Sequence, residues 1–181
     1  MTGIDEIGKL MATPEPPELG PGPRAAVQPE ASLNRALEEL FSRGKLPAQK
    51  QQLIRALILL WHDRFEASHV IAQEIENADG AFVHGILHRR EPDYSNAKYW
   101  FHRVGKHPVF PEIASRVSAL LEAKGEADLR SKLIPHGDWD PFAFIDACQR
   151  GSRQAVAGEH TQTLREIQAA ESFVLLDRFG K

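Results

Sequence analysis

The sequence is poor in cysteine and in net charge, and it lacks any long hydrophobic run. Cys148 is the single cysteine among 181 residues, so the chain cannot form an internal disulfide or a cysteine-rich metal site. It lies in an apolar helical context, which favours an inert core residue over a nucleophile. The formal net charge of −3 disfavours a general nucleic-acid-binding protein, which needs a basic face. With no apolar stretch of membrane-spanning length and no signal peptide, we expect a cytoplasmic protein.

Several patterns that mark common fold and enzyme classes are also missing. No segment alternates apolar and polar residues with the period of two that marks a half-buried strand, so we predict an all-α protein. The chain has no glycine-rich phosphate-binding loop, no dinucleotide fingerprint and no nucleophile paired with a base at a diagnostic spacing. These absences leave open whether the protein is an enzyme.

Proline divides the chain into two parts. Six of the twelve prolines lie in residues 1–30. They favour an extended polyproline arm over a helix in residues 13–30, while residues 4–11 could form a short docked helix. Over residues 31–181 apolar residues recur at helical spacing, with capping residues such as Ser32 and stop signals such as Gly125. A chain of this length fits one well-buried core. We therefore predict a proline-rich arm followed by a single helical domain, with about seven to nine helices in all.

A weak internal repeat occupies the middle of the chain. Small residues align mostly with small ones, and bulky residues mostly with bulky ones, in the pairs Ala56 with Gly85, Phe65 with Tyr94, Ser68 with Ala97, Ala72 with Phe101, and Ile75 with Val104. In each copy a helix leads through a tight turn to a second helix, which opens on an aromatic residue and carries a small residue three positions later.

This pattern resembles the tetratricopeptide and Sel1-like helical hairpins over about residues 48–110. The resemblance implies a right-handed stack of antiparallel helical hairpins, in which small residues let two helices cross closely. The chain departs from the family pattern at Asp63 and Pro92, which stand where a turn glycine is expected. The second copy is also similar to a stretch found in a group of bacterial helical proteins, a likeness that implies no function.

Histidines recur on the helices of this region. The repeat predicts consecutive antiparallel helices over about residues 65–76 and 80–91, a pairing that places His69 opposite His88. His84 and His88 are four residues apart and leave one face of one helix. The sequence therefore predicts three imidazoles in one partly sheltered hollow.

Three imidazoles with an open position match the ligand layout of a catalytic zinc ion or a similar divalent transition metal. Glu66 or Glu91 could add a carboxylate, and we name Glu66 with the three histidines as the predicted ligand set. The alternative is a group of partly buried histidines that only donate and accept hydrogen bonds, which is the commoner role at helical spacing. In the first case the protein is a metal-dependent enzyme of the hydrolase type.

The same region carries polar, cationic and aromatic side chains suited to an anion, namely Arg89, Arg90, Asn96, Tyr99 and Arg103. On the inner side of a helical hairpin they would bind a small anionic ligand or a peptide in a groove near residues 84–103. For the two consecutive arginines the alternative is a solvated turn with weak local ion pairs. The anion groove is our leading interpretation of function, and the metal enzyme is the alternative. A homodimer that buries the exposed aromatic residues is a third interpretation.

Overall fold

The computed structural model describes residues 3–22, 24–152 and 158–181, and these residues form helices and connecting loops without any strand. This confirms the predicted all-α class. The α-helices of the described ranges are α1 (Gly3–Gly8), α2 (Glu30–Ser42), α3 (Ala48–Trp61), α4 (Phe65–Ala72), α5 (Ala78–Arg90), α6 (Tyr94–Val104), α7 (Phe110–Ala123), α8 (Ala127–Leu133), α9 (Pro141–Gly151) and α10 (Glu159–Phe179). None of them is long and apolar enough to cross a membrane.

The ten α-helices of the described ranges exceed the predicted seven to nine. Short helices account for the difference, because a segment such as α8 spans only seven residues and shows no clear apolar period. The two helices expected over residues 65–76 and 80–91 also have different ends. The chain leaves α4 after Ala72 and folds back so tightly that a Cβ atom on Gly80 would lie 2.2 Å from the carbonyl oxygen of Ile75. Asn77 then caps α5 by accepting a hydrogen bond from the Gly80 amide.

Two pairs of consecutive helices cross at the small residues that the repeat aligns. Where α3 meets α4, the Ser68 hydroxyl donates to the carbonyl oxygen of Ala56 over 2.8 Å. Where α5 meets α6, a Cβ atom on Gly85 would lie 2.7 Å from the ring of Phe101, so only glycine permits this approach. Small side chains thus bring each pair of helix axes together, and this places α4, α5 and α6 around one hollow.

The proline-rich arm packs on the helical body. Arg165 and Gln168 of α10 and Arg90 of α5 donate to main-chain carbonyls of the arm. Arg165 reaches the Pro16 carbonyl over 2.5 Å, while Gln168 and Arg90 reach the Glu18 carbonyl over 3.1 Å and 3.0 Å. Among the described residues no main-chain amide donates to the Pro16 or Glu18 carbonyl, so these side chains satisfy them.

Candidate metal centre

Three imidazole rings from two helices meet between α4, α5 and α6. One ligand-capable atom from each of His69, His84 and His88 lies within 4.8 Å of the other two. The His69 ring stands edge-on to both others, with centroids 4.7 Å from His84 and 5.4 Å from His88. The rings of His84 and His88 lie nearly parallel, 4.8 Å apart. The structure therefore brings together the three histidines that the sequence placed in one hollow.

His84 is the most unusual member of the cluster. Its side chain is buried, with 3% of the residue exposed, and neither ring nitrogen has a hydrogen-bond partner among the described residues. A buried polar atom without a partner costs about 1–3 kcal/mol, and native proteins contain few of them. Burial, reinforced by His88 and His69, lowers the pKa of His84 to about 3, so the ring is neutral near pH 7. A neutral imidazole is the form that binds a metal ion.

His88 has polar neighbours at both ring nitrogens. The Nε2 atom lies 3.2 Å from the side-chain nitrogen of Asn96, and the Nδ1 atom lies 3.1 Å from a carboxylate oxygen of Glu91. The Glu91 contact is close but not aligned as a hydrogen bond. Burial lowers the pKa of His88, although Glu91 opposes the shift. Metal-bound histidines commonly have a carboxylate behind the second ring nitrogen, which orients the ring.

Trp100 of α6 covers the cluster from one side. Its ring stacks on His84 with centroids 3.9 Å apart and an angle of 19° between the planes. The three consecutive aromatic residues of α6 point in different directions, because Phe101 is buried in the core, Tyr99 is exposed and Trp100 lies between these extremes. The stacking of Trp100 on His84 was not predicted from the sequence.

Glu66 does not join the cluster. It is exposed on α4 and lines a shallow groove toward α2 and α3, together with Asn34 and Arg55. Within the part of the chain that the structure describes, these histidines form the one group of three or more His, Cys, Asp or Glu side chains close enough to share an ion. Glu91 is the carboxylate that lies beside the histidines.

Arg89 and Arg90 lie inside the protein, contrary to the exposed groove expected from the sequence. The Arg89 guanidinium contacts the Glu171 carboxylate of α10 over 2.5 Å, with both side chains fully buried. The Arg90 guanidinium contacts Asp63 over 2.6 Å and the Leu60 carbonyl over 2.5 Å. Burial lowers the pKa of Arg90 to about 10, so it stays charged near pH 7. Both arginines hold helices and the arm together, and neither is available to an external anion.

The other predicted anion-binding residues lie on α6. Asn96 is hydrogen-bonded to His88, Tyr99 is 53% exposed, and Arg103 is exposed with its guanidinium carbon 5.2 Å from the Trp100 ring centre. The structure therefore divides the predicted set. Asn96 contacts the histidine cluster and Tyr99 and Arg103 lie beside Trp100, while Arg89 and Arg90 face α10 and the arm.

His107 and Cys148 are reactive residue types, but both are buried in the protein. His107 is buried and its Nε2 atom lies 2.9 Å from the Asp79 carboxylate. Cys148 is buried, and burial raises the pKa of its thiol to about 12, so little thiolate forms near pH 7.

The protonation of His84 predicts a dependence of stability on pH. In the unfolded chain this ring binds a proton near pH 6.5, whereas in the folded protein it does so only near pH 3. Between these values the unfolded state binds more protons, so the free energy of unfolding of the metal-free protein falls as the pH is lowered. The slope from His84 alone is up to about 1.4 kcal/mol per pH unit.

Urea unfolding at several pH values between 7 and 5 measures this slope. His84→Phe keeps an aromatic ring against Trp100 but cannot titrate, so we expect a flatter pH dependence for this variant. The variant is compared with the wild-type protein. Both contain His69, His88 and Glu91, so the difference between their slopes reports on the replacement of His84. Equal slopes for the two proteins would contradict the prediction.

Comparison with known families, with curated proteins and with solved structures finds no match for this chain.

Proposed function

We propose that the protein binds one divalent transition-metal ion, such as zinc, through His69, His84 and His88. The observation that carries the proposal is His84, a buried neutral ring whose two nitrogens lack partners and which stands against two further imidazoles. An ion in this hollow would satisfy one of those nitrogens, and imidazole is a preferred ligand of zinc, copper, nickel and iron.

Binding requires a small closure of the three rings. Nitrogen ligands lie about 2.0–2.1 Å from a tetrahedral zinc ion, which sets the nitrogens about 3.3 Å from one another. The donor atoms now span up to 4.8 Å, so the rings must approach by about 1.5 Å at most. His69 is only partly buried, so its side chain has room to rotate, and the nearly parallel rings of His84 and His88 must also turn toward the shared ion.

Three histidine ligands leave a position open for water or substrate, the arrangement of catalytic rather than structural zinc sites. A bound ion lowers the pKa of such a water and polarises carbonyl groups. We propose a hydrolase-type reaction on this basis. Glu91 is the nearby carboxylate able to orient His88 or accept a proton.

The finer architecture is also part of the proposal. We propose that α3 with α4 and α5 with α6 form two hairpins of the tetratricopeptide kind. One support is the equal loop length, since three residues separate the helices in each pair. The other is a close helix contact at the aligned positions Ala56 and Gly85, which Ser68 and Phe101 approach respectively.

Metal titration tests the proposed function. Protein purified without a histidine tag is expected to bind one equivalent of Zn²⁺, Co²⁺ or Ni²⁺. With free metal about 100-fold above the Kd, binding should stabilise the fold by about 2.7 kcal/mol, which corresponds to a Tm increase of about 5–10 °C for a chain of this size. Calorimetry and thermal unfolding measure the two effects.

Mg²⁺ is the control in this experiment, because it prefers oxygen ligands and should produce neither effect. The proposal fails if none of the three transition metals binds, or if Mg²⁺ raises the Tm as much as Zn²⁺ does.

A further inference from the structure

A cavity of about 340 Å³ lies between the loop after α4, α5 and α6, and its lining includes Trp100 but none of the three histidines. Its wall includes Gln73 of the loop after α4, Ala81 of α5, and Trp100 and Arg103 of α6. Gln73 lies four residues after His69, Ala81 three before His84, and Arg103 three after Trp100. Because three or four residues make one helical turn of about 5.4 Å, the cavity lies about one turn away from the rings.

Trp100 connects the cavity to the cluster. Its ring lines the cavity and also stacks on His84 at 3.9 Å. Trp100 is therefore the residue that the cavity wall and the histidine cluster share. Aromatic walls with a few polar groups are typical of small-molecule sites.

Arg103 gives the cavity its cationic group. Its guanidinium contacts the Tyr99 hydroxyl at 3.5 Å, and among the described residues it forms no ion pair with a carboxylate. This contrasts with Arg89 and Arg90, whose charges are paired with Glu171 and Asp63 inside the protein. A guanidinium without a carboxylate partner can take a carboxylate of a ligand in a paired hydrogen bond.

The wall also contains one carboxylate, that of Glu76. This side chain is exposed, so solvent and salt screen its repulsion of an anion. The amide side chains of Gln73 and Asn77 add neutral polar groups to the same wall.

We infer that this cavity is the substrate site of the metal centre and that it takes a small organic carboxylate. One carboxylate of the ligand pairs with Arg103, its carbon chain packs on Trp100, and a second oxygen donor at its other end reaches the metal ion. The inference rests on the proposed metal site and adds to it the class of ligand and the residue that recognises it.

Glutarate and its diamide are the probes for this site, added to zinc-loaded protein after the zinc stoichiometry has been measured. Glutarate is expected to bind about tenfold or more tightly than the diamide, since a hydrogen bond to a charged group exceeds a neutral one. Arg103→Met should remove this preference and leave the zinc affinity unchanged. Lys106→Met removes an exposed positive charge near the same helix end and should retain the preference.

Removing zinc should also weaken glutarate binding about tenfold or more, because the second carboxylate of glutarate loses its contact with the zinc ion. The inference is overturned if Arg103→Met binds glutarate as well as the wild type does, or if zinc makes no difference to glutarate. Neither result affects the zinc stoichiometry measured in the first step, so the proposed metal site would remain. Absence of zinc binding in the first step would instead refute the proposed function and this inference with it.

Discussion

Replacing Arg89 with methionine is expected to lower the free energy of unfolding by about 3–5 kcal/mol. The Arg89 guanidinium and the Glu171 carboxylate are fully buried and lie 2.5 Å apart, and Arg89 also lies over the Phe144 ring at 4.5 Å. Methionine has a similar length, so the packing loss is small. The large effect arises because Glu171 is left as an unpaired charge in the core. Chemical denaturation of both proteins measures the difference.

Arg116→Met is the matched control. Arg116 pairs with Glu112 over 2.6 Å and with Asp177 over 2.8 Å, but all three side chains are more than 40% exposed. Exposed ion pairs contribute little, so this variant should lose less than about 1 kcal/mol. Adding Glu171→Leu to Arg89→Met should recover much of the lost stability, since no buried charge then remains. Equal losses for Arg89→Met and Arg116→Met would contradict the account of the core.

Replacing His84 or His69 with alanine is expected to reduce the affinity for Zn²⁺ by more than about 100-fold. Loss of a group that only orients a ligand costs 10–100-fold, so loss of a ligand itself should cost more. His69 is partly exposed and His84 is buried, so His69→Ala tests the site with less disturbance of the fold. Calorimetric titration of each folded variant measures the affinity.

His102→Ala is the control for the two ligand variants. His102 lies on α6, is exposed and contacts the Phe142 ring, so it belongs to the same region but not to the cluster. This variant should bind zinc as the wild type does. If His69→Ala and His84→Ala bind zinc as tightly as His102→Ala, the ion is held elsewhere.

The histidine cluster could be predicted because all its determinants are local in sequence. His84 and His88 share a helical face by their spacing alone. His69 lies on the preceding helix, which a short loop joins to theirs. The same is true of the helix crossings at Ala56 and Gly85, two positions that the repeat aligned. Short-range patterns thus indicated both the helical class and the region where the rings meet.

The role of Arg89 and Arg90 could not be predicted in this way. Their partners include Glu171, which lies 82 residues away along the chain, and the carbonyl of Glu18 in the arm, which lies 72 residues away. Charged residues at the end of a helix usually face solvent, and only the docking of α10 and the arm buries these two. The prediction that Glu66 is a ligand was wrong for a related reason. Its spacing of three residues from His69 allows a shared helix face, but in the folded protein Glu66 lies in the groove lined by α2 and α3.

X-ray absorption spectroscopy of the zinc-loaded protein tests the central claim most directly. We predict three imidazole nitrogens at about 2.0–2.1 Å, completed by one or two oxygen ligands from water. His84→Ala should reduce the imidazole count by one. A zinc ion surrounded mainly by oxygen, or by three imidazoles that persist in His84→Ala, would contradict the assignment of these histidines as its ligands.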